Sequence, residues 1–315
     1  MLTFGPVPSR RLGRSLGINN IPPKTCSYGC CYCQVGRTTH KTINRSAFYP
    51  AEAIRESVQE KLDQARLAGE RIDYLTFVPD GEPTLDSDLD REITALRAFG
   101  LPIAVISNAS LLSREDVRAA LEKADWISLK MDSVTEATWR LINRPHRQLA
   151  LPAILEGART LARRFTGRLV TETMLVAGLN DGEKELTSLA RYLEELKPSR
   201  AYLAVPTRPP AEKWVRLPEG KNLLRAYRIL AGCLPAVELL IEYETGEFAS
   251  LGAPEEALLN ILAVHPLTEE ALMDFLIQTQ LGKDRIDLLI QRGELARVAY
   301  RDKTFFIRPF RKAAV

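Results

Sequence analysis

Short apolar, β-branched runs alternate with helical periodicities through most of the chain. The runs lie at 14–21, 72–78, 102–107, 126–130, 168–176, 201–206 and 237–243. Helical spacing of apolar residues occurs between them within 54–65, 151–161 and 186–196. Strands that alternate with helices predict a parallel sheet covered by helices. Six or seven such units favour α/β architecture as a partial (β/α)6 TIM-like barrel; a doubly wound sheet is the alternative.

Residues 250–315 follow a different pattern. Helices are predicted at 255–264 and 266–280, the second with Thr268 as N-cap, and a third helix ends at Gly293. A hairpin turning at 301–303 follows. Three helices and a hairpin predict a winged-helix module. The chain is therefore divided into a barrel domain, 1–245, and a C-terminal winged-helix-like domain, 250–315.

Composition adds limits on location. The chain has 315 residues, of which 45% are hydrophobic and 26% charged, as in ordinary globular proteins. No apolar run approaches the ~18–20 residues of a membrane span, and the first residues lack the features of a signal peptide. We expect a cytoplasmic protein with no membrane partner, in which thiols stay reduced.

Charge is unevenly distributed although the net charge is only +3. Residues 1–50 contain seven Lys or Arg and no Asp or Glu. This basic segment is either a solvated face or a neighbourhood that lowers thiol pKa values and attracts anions. Residues 250–281 carry five acids and no Lys or Arg, whereas 282–315 carry nine Lys or Arg against four acids. The basic half of the tail is predicted either to meet nucleic acid or to be part of a docking module.

Four of the five cysteines lie within 26–33. Cys26, Cys30 and Cys33 form C-x3-C-x2-C. The total of five cysteines is odd and four of them are crowded together, which argues against a disulfide framework. Structural zinc prefers two separated pairs of ligands, and only His40 or the remote Cys233 is left to complete a set. Three thiolates on a short loop suit an iron–sulfur cubane whose fourth iron keeps an open position. Cys31 and Cys233 are expected to be packing residues.

The same cysteine spacing, with Tyr32 before the last cysteine, resembles the signature of radical S-adenosylmethionine (SAM) enzymes. Asp80-Gly81-Glu82-Pro83 follows a predicted strand and is similar to that family's G-G-E-P element, with Asp80 in place of the first glycine. Later strand ends also resemble the family's SAM contacts: Ser107 and Asn108, Lys130 and Asp132, then Glu172, Gly178 and Asn180.

The resemblance implies a 4Fe-4S cluster ligated by Cys26, Cys30 and Cys33, with SAM as its cosubstrate. The residues that it implies for SAM binding are Tyr32, Gly81, Glu82, Pro83, Ser107, Asn108, Lys130, Asp132 and Glu172. Gly81 and Glu82 would receive the ammonium, Lys130 the carboxylate and Asn108 the ribose. An electron from a flavodoxin or ferredoxin would cleave SAM, and the resulting 5′-deoxyadenosyl radical would abstract hydrogen from a substrate.

Residues 4–34 and 140–146 resemble the group of radical SAM enzymes related to wyosine synthase, which modifies a tRNA guanosine with pyruvate. That enzyme has a second cluster ligated by cysteines upstream of the first motif, and here no cysteine precedes Cys26. Kinship therefore does not imply the same reaction. The substrate candidates are Arg10, Arg11, Asn143, Arg144 and His146, although Asn143-Arg144-Pro145 is also typical of a helix end.

Three functions remain open from the sequence. The first is modification of a tRNA or other RNA nucleotide. The second is modification or activation of a protein or small molecule, with the C-terminal domain as a docking module. The third is a cluster-bearing DNA-binding regulator that uses the winged helix.

Overall fold

The computed structural model describes residues 2–240, 254–264 and 266–309. The strands are β1 (Thr3–Ser9), β2 (Gly13–Ile18), β3 (Thr25–Cys26), β4 (His40–Lys41), β5 (Tyr74–Phe77), β6 (Ile103–Ser107), β7 (Trp126–Lys130), β8 (Arg168–Met174), β9 (Arg200–Ala204), β10 (Val237–Leu240), β11 (Leu267–Thr268), β12 (Ala296–Tyr300) and β13 (Lys303–Ile307). The α-helices are α1 (Ala51–Leu67), α2 (Leu89–Leu96), α3 (Glu115–Leu121), α4 (Glu136–Asn143), α5 (Leu151–Arg164), α6 (Glu183–Leu196), α7 (Gly220–Ala231), α8 (Pro254–Val264), α9 (Glu269–Thr279) and α10 (Lys283–Gln291). None of these helices is long and apolar enough to cross a membrane.

Eight strands form one sheet in the order β1-β2-β5-β6-β7-β8-β9-β10. Neighbours from β2 to β10 are parallel, and only β1 is antiparallel to its neighbour. The order follows the chain without reversal, which excludes the doubly wound alternative. The six strands β2 and β5 to β9 are each followed by a helix. The predicted α/β fold with a partial, parallel sheet is therefore confirmed.

Contacts across the sheet show that it is curled. In a flat sheet β2 and β8 would lie about 19 Å apart, because strands are spaced by about 4.8 Å. Arg11, in the turn before β2, nevertheless forms an ion pair with Glu172 of β8. Leu12 packs in the same buried cluster as Trp126 of β7 and Tyr202 of β9. The turn of the β1–β2 hairpin thus reaches across the inner face of a partial barrel.

Side chains alternate between the two faces of the sheet, as the period of a strand requires. Along β5, Leu75 and Phe77 belong to the main core beneath the helices. Thr76, between them, lines a cavity on the inner face. The outer face is therefore an apolar core, and the inner face is free to hold polar chemistry.

Strand β1 was not predicted from the sequence. Pro6 and Pro8 lie within it and argue against a strand, but β1 is at the edge of the sheet, where proline is tolerated. The strand predicted at 14–21 is shorter, Gly13–Ile18. The predicted strand at 237–243 is observed over 237–240, and its remainder lies outside the described residues.

Helices α8 to α10 and strands β11 to β13 form a C-terminal unit with its own apolar cluster. Its small antiparallel sheet has the order β11-β13-β12. The predicted N-cap is confirmed, because the Thr268 side chain accepts a hydrogen bond from the Ala271 amide at 3.2 Å. The unit touches the barrel, where the Tyr300 hydroxyl donates to the carbonyl oxygen of Pro206 at 2.9 Å.

Candidate active site

The cysteine loop follows β2 at the carboxyl ends of the parallel strands. Backbone hydrogen bonds hold it against the end of α4: the Gly29 amide donates to the Asn143 oxygen at 3.0 Å, and the Cys31 amide donates to the Ile142 oxygen at 2.8 Å. These bonds fix the central turn of the loop against the end of α4. Catalytic groups of (β/α) barrels gather at this edge.

The four cysteines of the loop have two different surroundings. Cys26, Cys30 and Cys33 are free thiols that are partly exposed. Cys31 is fully buried in an apolar cluster with Ile142 and neighbouring side chains. The expectation that Cys31 is a packing residue is confirmed. Outside the loop, Cys233 is partly buried and packs against the main core, so it is also a packing residue, although less deeply buried than expected.

Partial burial raises the pKa of all three thiols, and the pKa of Cys26 rises to about 12. Nearby carboxylates add to the effect, Glu82 at Cys26, Asp132 at Cys30 and Asp80 at Cys33. Iron binds thiolates, so loading of a cluster has to displace these protons.

The donor set fits an iron–sulfur cluster. Side-chain amides aim at two of the sulfurs, since Asn108 Nδ2 lies 3.4 Å from Cys26 Sγ and Asn143 Nδ2 lies 3.4 Å from Cys30 Sγ. Among the described residues, no three His, Cys, Asp or Glu side chains converge as they would on a single metal ion. Zinc would hold its sulfurs about 3.8 Å apart, whereas a cubane binds each thiolate through a different iron. Three thiols on one loop, two of them with a side-chain amide at the sulfur, suit the cubane.

The Gly81-Glu82-Pro83 segment packs directly on the start of the cysteine loop. The Glu82 amide donates to the Thr25 carbonyl oxygen at 3.1 Å. A Cβ atom at Gly81 would collide with that same oxygen, so the close approach requires glycine. Pro83 is buried, and its carbonyl oxygen accepts from Asn20 Nδ2 at 3.2 Å.

The Glu82 carboxylate is hydrogen-bonded to the end of the next strand in the sheet, β6. It accepts hydrogen bonds from the Ser107 hydroxyl at 2.8 Å and the Asn108 amide at 2.6 Å, both at the end of β6. The Thr84 hydroxyl donates to it at 2.5 Å. Burial raises the pKa of Glu82, and these donors oppose the rise. A buried carboxylate with partners of its own thus stands beside Cys26.

Asp132 connects three parts of the site. Its carboxylate accepts from the Tyr32 hydroxyl, from Asn143 Nδ2 at 2.6 Å and from the Met174 amide at 2.8 Å. Burial raises the pKa of Asp132, while Lys130 and these donors lower it. Asp132 therefore ties the cysteine loop to α4 and to the end of β8.

Glu172 lies between two cations on the inner face of the barrel. It forms ion pairs with Lys130 and with Arg11. Burial raises the pKa of its carboxyl, but the two cations more than offset this and lower it to about 2. Lys130 also lies 6.0 Å from the centre of the Tyr32 ring. Together, Arg11, Lys130 and Glu172 carry one net positive charge next to the cysteine loop.

The substrate candidates do not all lie together. Arg10 lines a cleft outside the barrel, whereas Arg11 points into the barrel. Asn143 is the last residue of α4, as its motif also suggested, and its side chain contacts Cys30; its role as a substrate contact stays a prediction. Arg144 lies at the rim of the cysteine loop, and the His146 amide donates to the Ser27 oxygen at 2.9 Å.

Sequence reasoning missed a buried ion pair beside the loop. Asp80 lies 2.6 Å from Lys24 Nζ, and Lys24 also donates to the Val35 carbonyl oxygen. Asp80 is the residue that departs from the family motif, and a carboxylate in that buried position signals a cation nearby. The segment with Glu212 and Trp214, which packs on the loop, was also missed, because it has no motif of its own.

A cavity of about 210 Å³ opens on the inner face of the barrel. It lies between the β1–β2 hairpin and strands β5 and β6. Val35, two residues after Cys33, and Pro79, just before Asp80, line its upper part. The cavity is thus adjacent to the cysteine loop.

Comparisons with known proteins agree with this geometry. A model of the Radical SAM superfamily matches residues 20–190. The UPF0026 protein MJ1312 of Methanocaldococcus jannaschii is 44% identical over 309 residues, which cover 98% of this chain and 96% of that protein.

Two solved structures have a similar fold. A radical SAM methyltransferase from Sphaerobacter thermophilus has a TM-score of 0.56 at 16% identity, with 73% of this chain and 67% of that chain covered. A structure of TYW1 with a lysine-pyruvate adduct bound has a TM-score of 0.53 at 17% identity, with 70% of this chain and 74% of that chain covered. At these identities the likeness concerns the fold alone.

Proposed function

The chain belongs to the Radical SAM superfamily, and from this premise we propose that Cys26, Cys30 and Cys33 hold its 4Fe-4S cluster. When bound, the cluster and SAM supply reductive cleavage of the sulfonium and a 5′-deoxyadenosyl radical that abstracts hydrogen. The observation that carries the proposal is the meeting of three thiols with buried strand-end carboxylates at one edge of the sheet.

The residues of the chain have separate roles in this proposal. Glu82 and the backbone at Gly81 receive the SAM ammonium, Lys130 the carboxylate and Asn108 the ribose. Tyr32, Pro83, Ser107, Asp132 and Glu172 complete the SAM site. Lys130 has an ion-pair partner in Glu172, so its cation is already held at the edge where an anionic group would bind.

The test is anaerobic reconstitution followed by an assay for 5′-deoxyadenosine, with dithionite or a reduced flavodoxin or ferredoxin as electron donor. We expect SAM-dependent product even without substrate. A fully loaded protein that forms no 5′-deoxyadenosine, with either donor, would contradict the proposal.

A second proposal concerns the substrate, which we infer to be an RNA nucleotide. A basic and aromatic rim surrounds the cysteine loop. Its members are linked: Arg37 and Arg144 both pair with Glu212, at 3.1 and 2.7 Å, and Lys41 Nζ donates to the Arg144 carbonyl oxygen at 2.8 Å. The Arg144 guanidinium lies 5.8 Å from the ring centre of Trp214, which is 48% exposed.

An exposed aromatic ring beside cations is the arrangement that stacks a base and binds its phosphates. We expect tRNA to bind with a steep salt dependence, about −0.7 to −0.9 in log–log slope for each phosphate contacted. Trp214→Ala should weaken that binding, whereas substitution of the exposed but remote Leu67 should not. Binding that is insensitive to salt, together with unchanged nucleoside digests of tRNA from a deletion strain, would favour a protein or small-molecule substrate instead.

For the C-terminal part we propose a winged-helix domain, 250–315, attached to a barrel domain, 1–245. The order of helices α8 to α10, β11 and the β12–β13 hairpin supports it. Ion pairs join its basic half to its acidic half, Arg285 to Glu255 at 2.5 Å and Lys303 to Glu270 at 2.8 Å. The superfamily match lies in the barrel, at residues 20–190, so we infer an enzyme with a docking module rather than a DNA-binding regulator.

A further inference from the structure

The cavity on the inner face has the composition of a ligand site. Apolar side chains form most of its wall, among them Phe4, Val7 and Ile106. Two arginines, Arg11 and Arg208, also line it. Among the described residues, no Asp or Glu side chain lines the cavity. A mostly apolar pocket with a few convergent polar groups is typical of small-molecule recognition.

Arg11 is held in place but keeps hydrogen-bonding capacity. Its side chain is 16% exposed, forms an ion pair with Glu172 and lies 5.8 Å from the centre of the Tyr202 ring. In the described part of the chain, only its Nη1 atom donates a side-chain hydrogen bond, and the acceptor is Glu172. The other N–H groups of the guanidinium have no protein acceptor there. A fixed, partly unsatisfied guanidinium at a cavity wall suits a planar anion.

Two hydroxyl groups lie on the same wall. Ser15 Oγ and Thr76 Oγ1 are 2.6 Å apart, and both residues line the cavity. Only one of the two protons can lie between the oxygens, so the other hydroxyl can donate elsewhere. The wall therefore offers neutral and charged donors at once.

The cavity is distinct from the proposed SAM site. None of the residues assigned above to SAM or to the cluster is among the described residues that line it. The two sites are nevertheless adjacent, because Val35 and Pro79 line the cavity and flank the cysteine loop and Asp80. Glu172 links them, since it pairs with Arg11 on one side and Lys130 on the other.

We propose that this cavity binds the anionic group of the substrate, a carboxylate or a phosphate, through Arg11 with the Ser15–Thr76 hydroxyl pair. The inference rests on the proposed function, because it places the substrate next to the source of the radical. A phosphate would come from a nucleotide and a carboxylate from a small organic acid.

The experiment measures the labelling of Arg11 by phenylglyoxal in reconstituted, SAM-loaded protein, with peptide mass spectrometry as the readout. The probes are inorganic phosphate and succinate. At a probe concentration about ten times its dissociation constant, we expect labelling of Arg11 to slow about tenfold. Arg66, which is 81% exposed at the end of α1, is labelled in the same sample and should not change.

Slowing by phosphate alone assigns a phosphate-bearing substrate, slowing by succinate alone assigns a carboxylic acid, and slowing by both supports a general anion site. Equal labelling rates with and without both probes would overturn the proposal. Thr76→Val keeps the shape of the side chain but removes a hydroxyl, and it should weaken probe binding. Arg11→Lys keeps the charge but not the planar guanidinium, and it should weaken probe binding by about tenfold. Unchanged affinity in both variants would also overturn it.

This result is separable from the proposed function. Formation of 5′-deoxyadenosine without substrate needs no occupied cavity, so it is measured in the unaltered protein, in the same preparation that is labelled. If SAM is cleaved but the probes do not protect Arg11 from labelling, only the proposal of the anion site is contradicted. If the probes protect Arg11 but SAM is not cleaved, only the proposed radical chemistry is contradicted.

Discussion

The carboxyl edge of the barrel and the C-terminal unit differ in where their acidic side chains lie, buried in the first and at the surface in the second. At the barrel edge, Glu82, Asp132 and Glu172 are buried, and each is satisfied by protein donors or cations. In the C-terminal unit the core is apolar, and acids such as Glu270 pair at the surface. Burying a carboxylate costs free energy unless it is paired and hydrogen-bonded.

A fold that only needed stability would use apolar side chains in place of the three carboxylates. Their concentration at one edge, beside three thiols, is the arrangement on which the proposed function rests. The C-terminal unit shows the ordinary alternative within the same chain. The effects of substitutions in the two regions should therefore differ in the property affected as well as in magnitude.

The largest effect is expected in the cysteine loop. Cys30→Ala removes a thiolate ligand, so we expect nearly complete loss of cluster iron and sulfide after reconstitution. Cys31→Ala, one residue away, should keep a full cluster and lower the free energy of unfolding by about 1 kcal/mol through lost packing. Equal iron content in the two variants would contradict the assignment of ligands.

Lys130→Ala comes next. Loss of a charge-assisted hydrogen bond costs about 1.5–3 kcal/mol, which corresponds to about 10- to 150-fold weaker SAM binding. Equilibrium dialysis measures the affinity, and cluster content should stay intact. Lys123→Ala, on an exposed ion pair with Asp90, is the matched control. Unchanged affinity in Lys130→Ala would remove Lys130 from the SAM site.

A smaller effect concerns pH. Burial, with the nearby Asp86 carboxylate, raises the pKa of Glu92, and Asn20 Nδ2 donates to Glu92 at 3.1 Å. Because the native state then holds a proton that the unfolded state has lost, stability should fall as pH rises above the unfolded pKa, about 4.3, until the native carboxyl has also lost its proton. The slope is at most about 1.4 kcal/mol per pH unit for one proton.

Urea unfolding at a series of pH values tests this. Glu92→Gln cannot titrate and should flatten the fall, whereas Glu60→Gln, on the exposed side of α1, should leave it unchanged. A fall of equal slope in all three proteins would show that another group is responsible.

The smallest effect is expected in the C-terminal unit. Arg285 and Glu255 form a partly exposed ion pair at 2.5 Å. Arg285→Gln should lower the free energy of unfolding by less than about 1 kcal/mol, with no change in SAM cleavage. A loss of several kcal/mol, measured by urea unfolding, would mean that this unit relies on buried charge as the barrel edge does.

Much of this architecture could be predicted from the sequence. The alternation of strand and helix patterns located β5 to β9, because each is a short run rich in β-branched and apolar residues between helical periodicities. Strand β1 could not be predicted in this way, since Pro6 and Pro8 are tolerated only at an edge whose position depends on the whole sheet.

The candidate site could be proposed from the spacing of the cysteines and, for Glu82, from the resemblance to the family's G-G-E-P element. It was not predictable where partners are distant in the chain. The ion pair of Arg11 with Glu172 joins residues 161 positions apart, and only the curl of the sheet brings them together. The Lys24–Asp80 pair was missed for the same reason, although Asp80 stood out as a departure from the motif.

The central claim is that three thiolates leave an open position for SAM at the cluster. Electron paramagnetic resonance of the reduced, reconstituted protein, recorded with and without SAM, tests it most directly. We expect SAM to change the spectrum of the cluster in the unaltered protein and in Cys31→Ala. A spectrum that stays the same at saturating SAM, in a protein with full iron content, would contradict it.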